Sequence, residues 1–238
     1  MQIQQIVNTF GIFGQPRNLE LIGQVVASGS SVVRLPAAIR ETVEPGDTAV
    51  EHLNSLGSFD WLIFTDAWAV ESFFEIADKC DVDLSKLDDI RICSIGESTA
   101  SRLRPRYVHS DITTSSADVM VVSKVLSDYS GGLFGQRMLV VHGNNARIPD
   151  FGTEIVRLEV YRSRFSRDAD TAKIRALLIG GLVDAIVISS IDDVFSVKKL
   201  FALPPLDQSL AGMDFYTVDA DSRQALLELG LRTRHFRL

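Results

Sequence analysis

Apolar runs of four to six residues recur along the chain and alternate with stretches whose apolar positions follow a helical period. Val32–Leu35, Trp61–Phe64, Ile90–Ile95, Met138–Val141, Ile155–Val160, Ala185–Ile188 and Phe215–Val218 predict short buried strands. Between them, Leu19–Ala27 places Leu19, Ile22 and Val26 on one face. Val70–Ala77, Ser116–Leu126 behind a Thr-Thr-Ser-Ser cluster, Asp170–Ile179 and Asp221–Leu229 also predict helices. Alternating strand and helix predicts an α/β fold with parallel sheets covered by helices.

The pattern occurs twice. Phe59–Ala77 (FDWLIFTDAWAVESFFEIA) parallels Val183–Phe201 (VDAIVISSIDDVFSVKKLF), with an offset of 124 residues from Asp60 to Asp184. Ile90–Leu103 parallels Phe215–Leu226, with an offset of 123 from Thr99 to Ser222. Two segments sharing nearly one offset imply one supersecondary plan used twice, hence two similar domains. The second copy lacks an opening strand and helix, and residues 1–36 supply a strand, a helix and a strand. We therefore expect a discontinuous domain of 1–36 plus 163–238, with 37–162 inserted. Two crossing strands would join the domains, and a cleft between them would be the natural place for a small ligand.

Composition narrows the function classes. The chain has 238 residues, 46% hydrophobic and 23% charged, enough for a core in each half. No run of about 18 apolar residues appears, so no membrane span is expected. The N-terminus MQIQQIVNTF lacks the basic and apolar regions of a signal peptide, and a cytoplasmic location is expected. Cys80 and Cys93 suggest packed thiols rather than a disulfide framework. A net charge of -7 without a basic stripe argues against nucleic acid as partner. The local basic excess at Arg232, Arg234 and Arg237 reads as a solvated tail.

The histidines His52, His109, His142 and His235 lack metal-ligand spacing, and no G-x-S-x-G elbow, Walker A loop or dinucleotide fingerprint is present. The informative segments are turns after strands: Phe64-Thr65-Asp66-Ala67, Ile95-Gly96-Glu97-Ser98-Thr99-Ala100 and Ile188-Ser189-Ser190-Ile191. Each ends a buried run and opens a helix. Hydroxyls and free backbone N–H groups at helix N-termini bind anions, and such turns lie at the carboxyl ends of strands, where α/β sheets take ligands. The same residues also serve as ordinary N-caps.

These segments resemble the uroporphyrinogen-III synthase family. Phe59-Asp60-Trp61-Leu62-Ile63-Phe64-Thr65, with Ala69-Val70 and Phe73-Phe74, is similar to the family's D-W-hydrophobic-F-T-S-x-x-A-V-x-x-F segment. Ile95–Ala100 is similar to its I-G-x-x-T-A turn, and Gly135–Arg147 to its G-x-R-hydrophobic-L strand and loop. Val160-Tyr161-Arg162-Ser163 resembles its V-Y-x-T crossing strand, and Gly29–Pro36 its G-x-x-V-hydrophobic-x-x-P entry to the second domain. The resemblance spans nearly the whole chain, carried by the order and spacing of short motifs. It implies cyclisation of the linear tetrapyrrole hydroxymethylbilane, with loss of water and inversion of the last pyrrole ring. No metal or organic cofactor is implied, and the chain is expected to act as a monomer. Tyr161 would be the proton donor to the leaving oxygen, with an accessible hydroxyl. Thr65, Gly96, Ser98, Thr99, Ser189, Ser190 and Ser222 would bind substrate carboxylates.

The chain departs from the family at its acids. Asp66 stands where the family has Ser, Asp192 and Asp193 follow Ser190, and the late turn reads Val218-Asp219-Ala220-Asp221-Ser222. The segment between Arg147 and Ile155 is about two helical turns short. The substrate implied by the resemblance carries eight carboxylates, so acids aimed at it would repel it. We expect Asp66 and Asp221 to be helix N-caps whose charge is met by backbone N–H groups. Two other readings remain open: a catalytically diverged tetrapyrrole-binding or regulatory module on the same scaffold, and a two-domain small-ligand receptor.

Overall fold

Each apolar run becomes a strand because a parallel sheet is covered on both faces and asks for apolar residues at every position. Trp61–Phe64 and Ala185–Ile188 are buried at all four positions. The structure, a computed structural model, describes residues 9–15, 18–114, 119–144, 148, 151–165, 169–201, 210 and 212–236. Residues 1–8, Ser115 and Ser116 of the expected cap cluster, the loop residues 145–147 and Arg237 lie outside the described residues. Of the segment expected to be a shortened helix before Ile155, Pro149 and Asp150 lie outside them too, while Phe151–Thr153 form no helix and Glu154 opens a strand.

The elements run β1 (Thr9–Phe13), α1 (Leu19–Ala27), β2 (Ser31–Leu35), β3 (Ile39–Thr42), α2 (Asp47–Asn54), β4 (Trp61–Phe64), α3 (Ala67–Lys79), β5 (Arg91–Ile95), α4 (Glu97–Leu103), β6 (Ile112–Thr114) and α5 (Val119–Ser130). They continue with β7 (Arg137–Gly143), β8 (Glu154–Arg164), α6 (Thr171–Ile179), β9 (Ala185–Ile188), α7 (Ile191–Leu200), β10 (Asp214–Thr217), α8 (Ala220–Glu228) and β11 (Thr233–His235). The mixed α/β class expected from the alternation is what the chain adopts. The short strands β3, β6 and β11 carry no apolar run, so their pattern gave no signal. Helix α3 extends further in both directions than its apolar period suggested, because Asp66 caps it early.

The chain divides into two compact units, one of Met1–Ile39 with Arg164–Leu238 and one of Arg40–Ser163. The first contains a five-stranded parallel sheet in the order β2-β1-β9-β10-β11. Its sequence order reverses at β1 and β9, the switch point where open α/β sheets form a crevice at their carboxyl ends. Ile12, Ile22, Val25 and Val187 form a buried cluster there, with Phe10, Tyr216 and Phe236 meeting edge to face beside it.

The second unit contains a six-stranded sheet in the order β3-β8-β7-β4-β5-β6, in which β4 to β8 are parallel. Its switch point is at β4 and β7. Trp61, Ile63, Cys93, Ile95, Met138 and Val140 pack with Val122 and Leu126 of α5 on one side. Burying Trp61 or Phe64 completely contributes about 1.5–3 kcal/mol each. Burial also pushes the Cys93 thiol up to about 12, so it is a packed, unreactive group. Among the described residues no helix is long and apolar enough to cross a membrane, and no His, Cys, Asp or Glu cluster could hold a metal ion.

Candidate active site

In the second unit the chain leaves β4 at Thr65 and enters α3 through Asp66. Asp66 has extended backbone and its Oδ1 accepts the Ala69 N–H at 2.9 Å, the expected N-cap. Its other oxygen, Oδ2, accepts from the Thr65 hydroxyl at 3.0 Å and from the Tyr161 phenol at 3.0 Å. The Thr65 hydroxyl also lies 3.2 Å from the Val141 carbonyl. One carboxylate therefore gathers two residues of the expected site.

A bulge places Tyr161. Strand β7 pairs His142 with Glu159 and then Gly143 with Tyr161, so β8 advances two residues for one of β7. The extra residue breaks the strict alternation, and both Val160 and Tyr161 are buried. The Tyr161 ring lies on Gly143 so closely that a Cβ there would sit 2.2 Å from the ring carbon bearing the hydroxyl. Trp68 meets the ring edge to face, with centroids 5.5 Å apart. Tyr161 is 5% exposed, so the expectation of an accessible hydroxyl is not met. Burial, and then the charge and hydrogen bond of Asp66, hold the phenol well above its ordinary pKa, while the Arg40 guanidinium works in the opposite sense.

At the next strand, β5, Gly96 turns the chain with φ at +96°, a conformation that favours glycine, and its N–H donates to the Thr114 carbonyl at 2.9 Å. Helix α4 starts there. Ser98 is half-buried. Thr99 is fully buried, and its hydroxyl donates to the Ile95 carbonyl at 2.7 Å. The Thr99 hydroxyl thus secures the turn.

The first unit repeats the plan with different chemistry. Ser190 is the N-cap residue of α7, yet its side chain makes no cap bond and its hydroxyl has no partner. The carboxylate comes three residues later. Asp193, fully buried, accepts from the Ser189 N–H at 2.8 Å and the Ser189 hydroxyl at 2.7 Å. The Asn18 amide, also fully buried, donates to the Phe13 carbonyl at 2.8 Å and reaches the Asp193 oxygens at 3.3 and 3.4 Å. The Ser189 hydroxyl also contacts Asn18 Oδ1.

After β10 the N-cap of α8 is Asp219, which accepts from the Ser222 N–H and the Ser222 hydroxyl, each at 2.7 Å. Asp221, expected to cap, stands instead in the first turn of α8 and is exposed. The extended residue before the helix is Asp219, and its carboxylate reaches forward to the Ser222 N–H of the first turn. Ser222 is fully buried like its counterpart Thr99.

Sequence reasoning missed Asn18, Asp193 and Gly143 as organisers of these turns. Asn18 carries no local signal, because its partners are 5 and 175 positions away. Asp193 had one: an acid at the third position of a helix is placed to reach back over its N-terminus.

The sequence model of the family described as uroporphyrinogen-III synthase HemD matches residues 20–234. The chain belongs to the uroporphyrinogen-III synthase family. Solved structures of uroporphyrinogen III synthase from Thermus thermophilus share its fold. One, a native crystal form of the wild-type protein, is 16% identical with a TM-score of 0.65, covering 95% of this chain and 91% of that one. Another is 17% identical with a TM-score of 0.63, covering 94% and 91%. No curated protein sequence matches the chain. Membership of the uroporphyrinogen-III synthase family makes the cyclising enzyme the main reading and ties the chain to porphyrin biosynthesis. No observation favours the catalytically diverged binding module.

Proposed function

We propose that this protein is a cyclising hydro-lyase that closes hydroxymethylbilane into uroporphyrinogen III. The family match over residues 20–234 carries this reading. The hydroxyl of the terminal hydroxymethyl group leaves as water, the last pyrrole ring inverts, and the macrocycle closes. We further propose that it works in the cytoplasm as a monomer.

The substrate's carboxylates would be met at the carboxyl ends of the strands by free N–H groups at helix N-termini. Ser98 would serve in one unit and Ser190 in the other, while Thr65, Gly96 and Ser189 would take part only by giving up the internal bonds of the Thr65 and Ser189 hydroxyls and of the Gly96 and Ser189 N–H groups. The Ser190 hydroxyl has no partner within the protein, but it is buried and would reach a carboxylate only if its turn opened. Thr99 and Ser222 would act by fixing the turns rather than by touching substrate, since both hydroxyls are bound internally. Tyr161 would supply a proton to the departing oxygen.

Of the four acids set against this reading, Asp66 and Asp219 are helix caps, and Asp192 and Asp221 stand in the first turns of α7 and α8, where a helix N-terminus favours negative charge. Asp66, Asp193 and Asp219 each accept a backbone N–H, so their charges are partly met before substrate arrives. Incubation with hydroxymethylbilane, followed by separation of the type III from the type I isomer, tests the proposal. Formation of the type III isomer is expected. Binding of the tetrapyrrole with only the uninverted type I product would instead mark the diverged module.

A further inference from the structure

We propose that Asp66 is a positioning residue that acts through Tyr161, holding the phenol's proton inward and thereby restraining Tyr161 as a proton donor. The proposal rests on the synthase reading. Its geometric basis is independent of that reading.

A phenol has one proton. In this structure it is directed at Asp66 Oδ2, 3.0 Å away, and not at solvent. The ring is held in place, so the phenol oxygen stays beside this carboxylate. Gly143 lies flat beneath it, Trp68 closes one edge, and the residue is 5% exposed. The carboxylate is equally fixed, because its other oxygen is committed to the Ala69 N–H and Thr65 shares Oδ2. A bulge in β8, a glycine in β7 and a helix cap thus converge on one hydrogen bond.

The consequence for the chemistry follows from charge. In the step assigned to Tyr161, the carbon–oxygen bond of the hydroxymethyl group breaks with its electron pair on oxygen. The phenol's proton passes to that oxygen, water departs, and the positive charge stays on the pyrrole left behind. The phenol becomes a phenolate and recovers its proton from solvent afterwards. That phenolate would form within hydrogen-bond distance of the Asp66 carboxylate. Two negative charges this close repel each other even in water, and more strongly in a drier site. The raised pKa of the phenol agrees with this direction. An uncharged residue at position 66 would remove the repulsion and free the proton.

The test is a double-mutant cycle. Asp66→Ser keeps a side chain that caps helices well, and Asp66→Asn keeps both the cap and the shape. Each is combined with Tyr161→Phe. With Tyr161 in place, both neutral variants should raise kcat for hydroxymethylbilane by roughly tenfold or more. In the Tyr161→Phe background the same substitutions should change kcat by less than about twofold, since the residue they act through is gone. A second readout needs no turnover. The alkaline absorbance titration component that Tyr161→Phe abolishes should move to lower pH in Asp66→Asn. Equal kinetic effects in both backgrounds, or an unmoved titration, would overturn the proposal. Were no variant to cyclise the substrate, the synthase reading would fail, and the titration alone would still decide whether Asp66 controls the phenol.

Discussion

Helices α3 and α7 are the same element in the two copies of the repeat, and they start differently. In α3 the acid stands at the N-cap itself, Asp66, and binds the Ala69 N–H of its own first turn. In α7 the N-cap is Ser190, whose hydroxyl binds nothing, and the acid stands three residues on at Asp193, reaching back to Ser189. Each carboxylate then recruits a polar partner from another strand or loop: Tyr161 for Asp66, Asn18 for Asp193. Further along, fully buried serines occupy matching places. Ser72 of α3 receives the Arg40 guanidinium at 2.7 Å, and Ser196 of α7 receives the Ala38 N–H at 2.9 Å. One backbone plan therefore tolerates a carboxylate on either side of the helix start. What differs is which hydroxyl is left over. The matching Thr65 and Ser189 hydroxyls are both bound to the acid, and only the α7 copy, with Ser190 in the place of Asp66, keeps a buried hydroxyl without a partner.

The largest effect should come from the buried acid of the α7 copy. Asp193→Ala leaves the Ser189 N–H without its acceptor and removes the anchor of the Asn18 amide. A cost of about 3 kcal/mol in urea unfolding is expected, because buried donors lose a charged acceptor. A loss below about 1 kcal/mol would show that solvent reaches the network. Next comes the seat of Tyr161. Gly143→Ala must displace the phenol ring, since the added carbon would lie 2.2 Å from it. A destabilisation of about 1–3 kcal/mol is expected. Combining it with Tyr161→Ala should recover much of the loss, whereas additive losses would mean that something other than the ring is crowded.

The sequence carried the repeat, the parallel sheets and the turns after β4, β5 and β9, because buried strands and helix starts have local signatures. It did not carry β3, β6 or β11, whose residues gain their pairing from neighbouring strands rather than from an apolar run. At the candidate site the chemistry-bearing positions were legible, but not their partners. Nothing near Tyr161 in the sequence says that a bulge turns it onto Gly143, or that Asp66, 95 positions earlier, takes its hydrogen bond. The choice of Asp221 over Asp219 as cap failed for a smaller reason. Both precede the helical pattern, and only the backbone angle at Asp219, φ −120° and ψ 163°, selects between them.

The two N-caps give a direct contrast. Asp66→Ala removes an acceptor from the Ala69 N–H and from Tyr161 and should cost about 1–2 kcal/mol. Ser190→Ala removes a side chain that makes no cap bond and should change stability by less than about 0.5 kcal/mol. Its effect should appear instead in substrate affinity. Equal destabilisation by both substitutions would mean that the Ser190 hydroxyl caps α7 in solution, and the contrast between the copies would collapse.

A small effect also concerns an ion network on α3, at whose Glu75 position α7 carries Lys199. Arg40 donates to Glu75 at 2.8 Å and lies 3.4 Å from Glu71, which Arg102 also meets at 3.0 Å. Thr42 donates to Glu75 as well. Burial works against the charge of Glu75, but the bonds from Arg40 and Thr42 and the charge of Arg40 outweigh it, and the carboxyl is held below its ordinary 4.5. A carboxyl lowered on folding adds stability above its unfolded value and loses that contribution as pH falls through the folded one. Because the side chain is 42% exposed, solvent and salt screen the pair, and Glu75→Gln should cost only about 0.5 kcal/mol at pH 7. That difference from the parent protein should hold down to about pH 5 and shrink below the ordinary glutamate value of about 4.5. Urea unfolding of both proteins between about pH 7 and about pH 3.5 measures it. A difference that grew on acidification would mean that Glu75 is held protonated in the folded state, and that Arg40 is fixed by Ser72 and Glu71 instead.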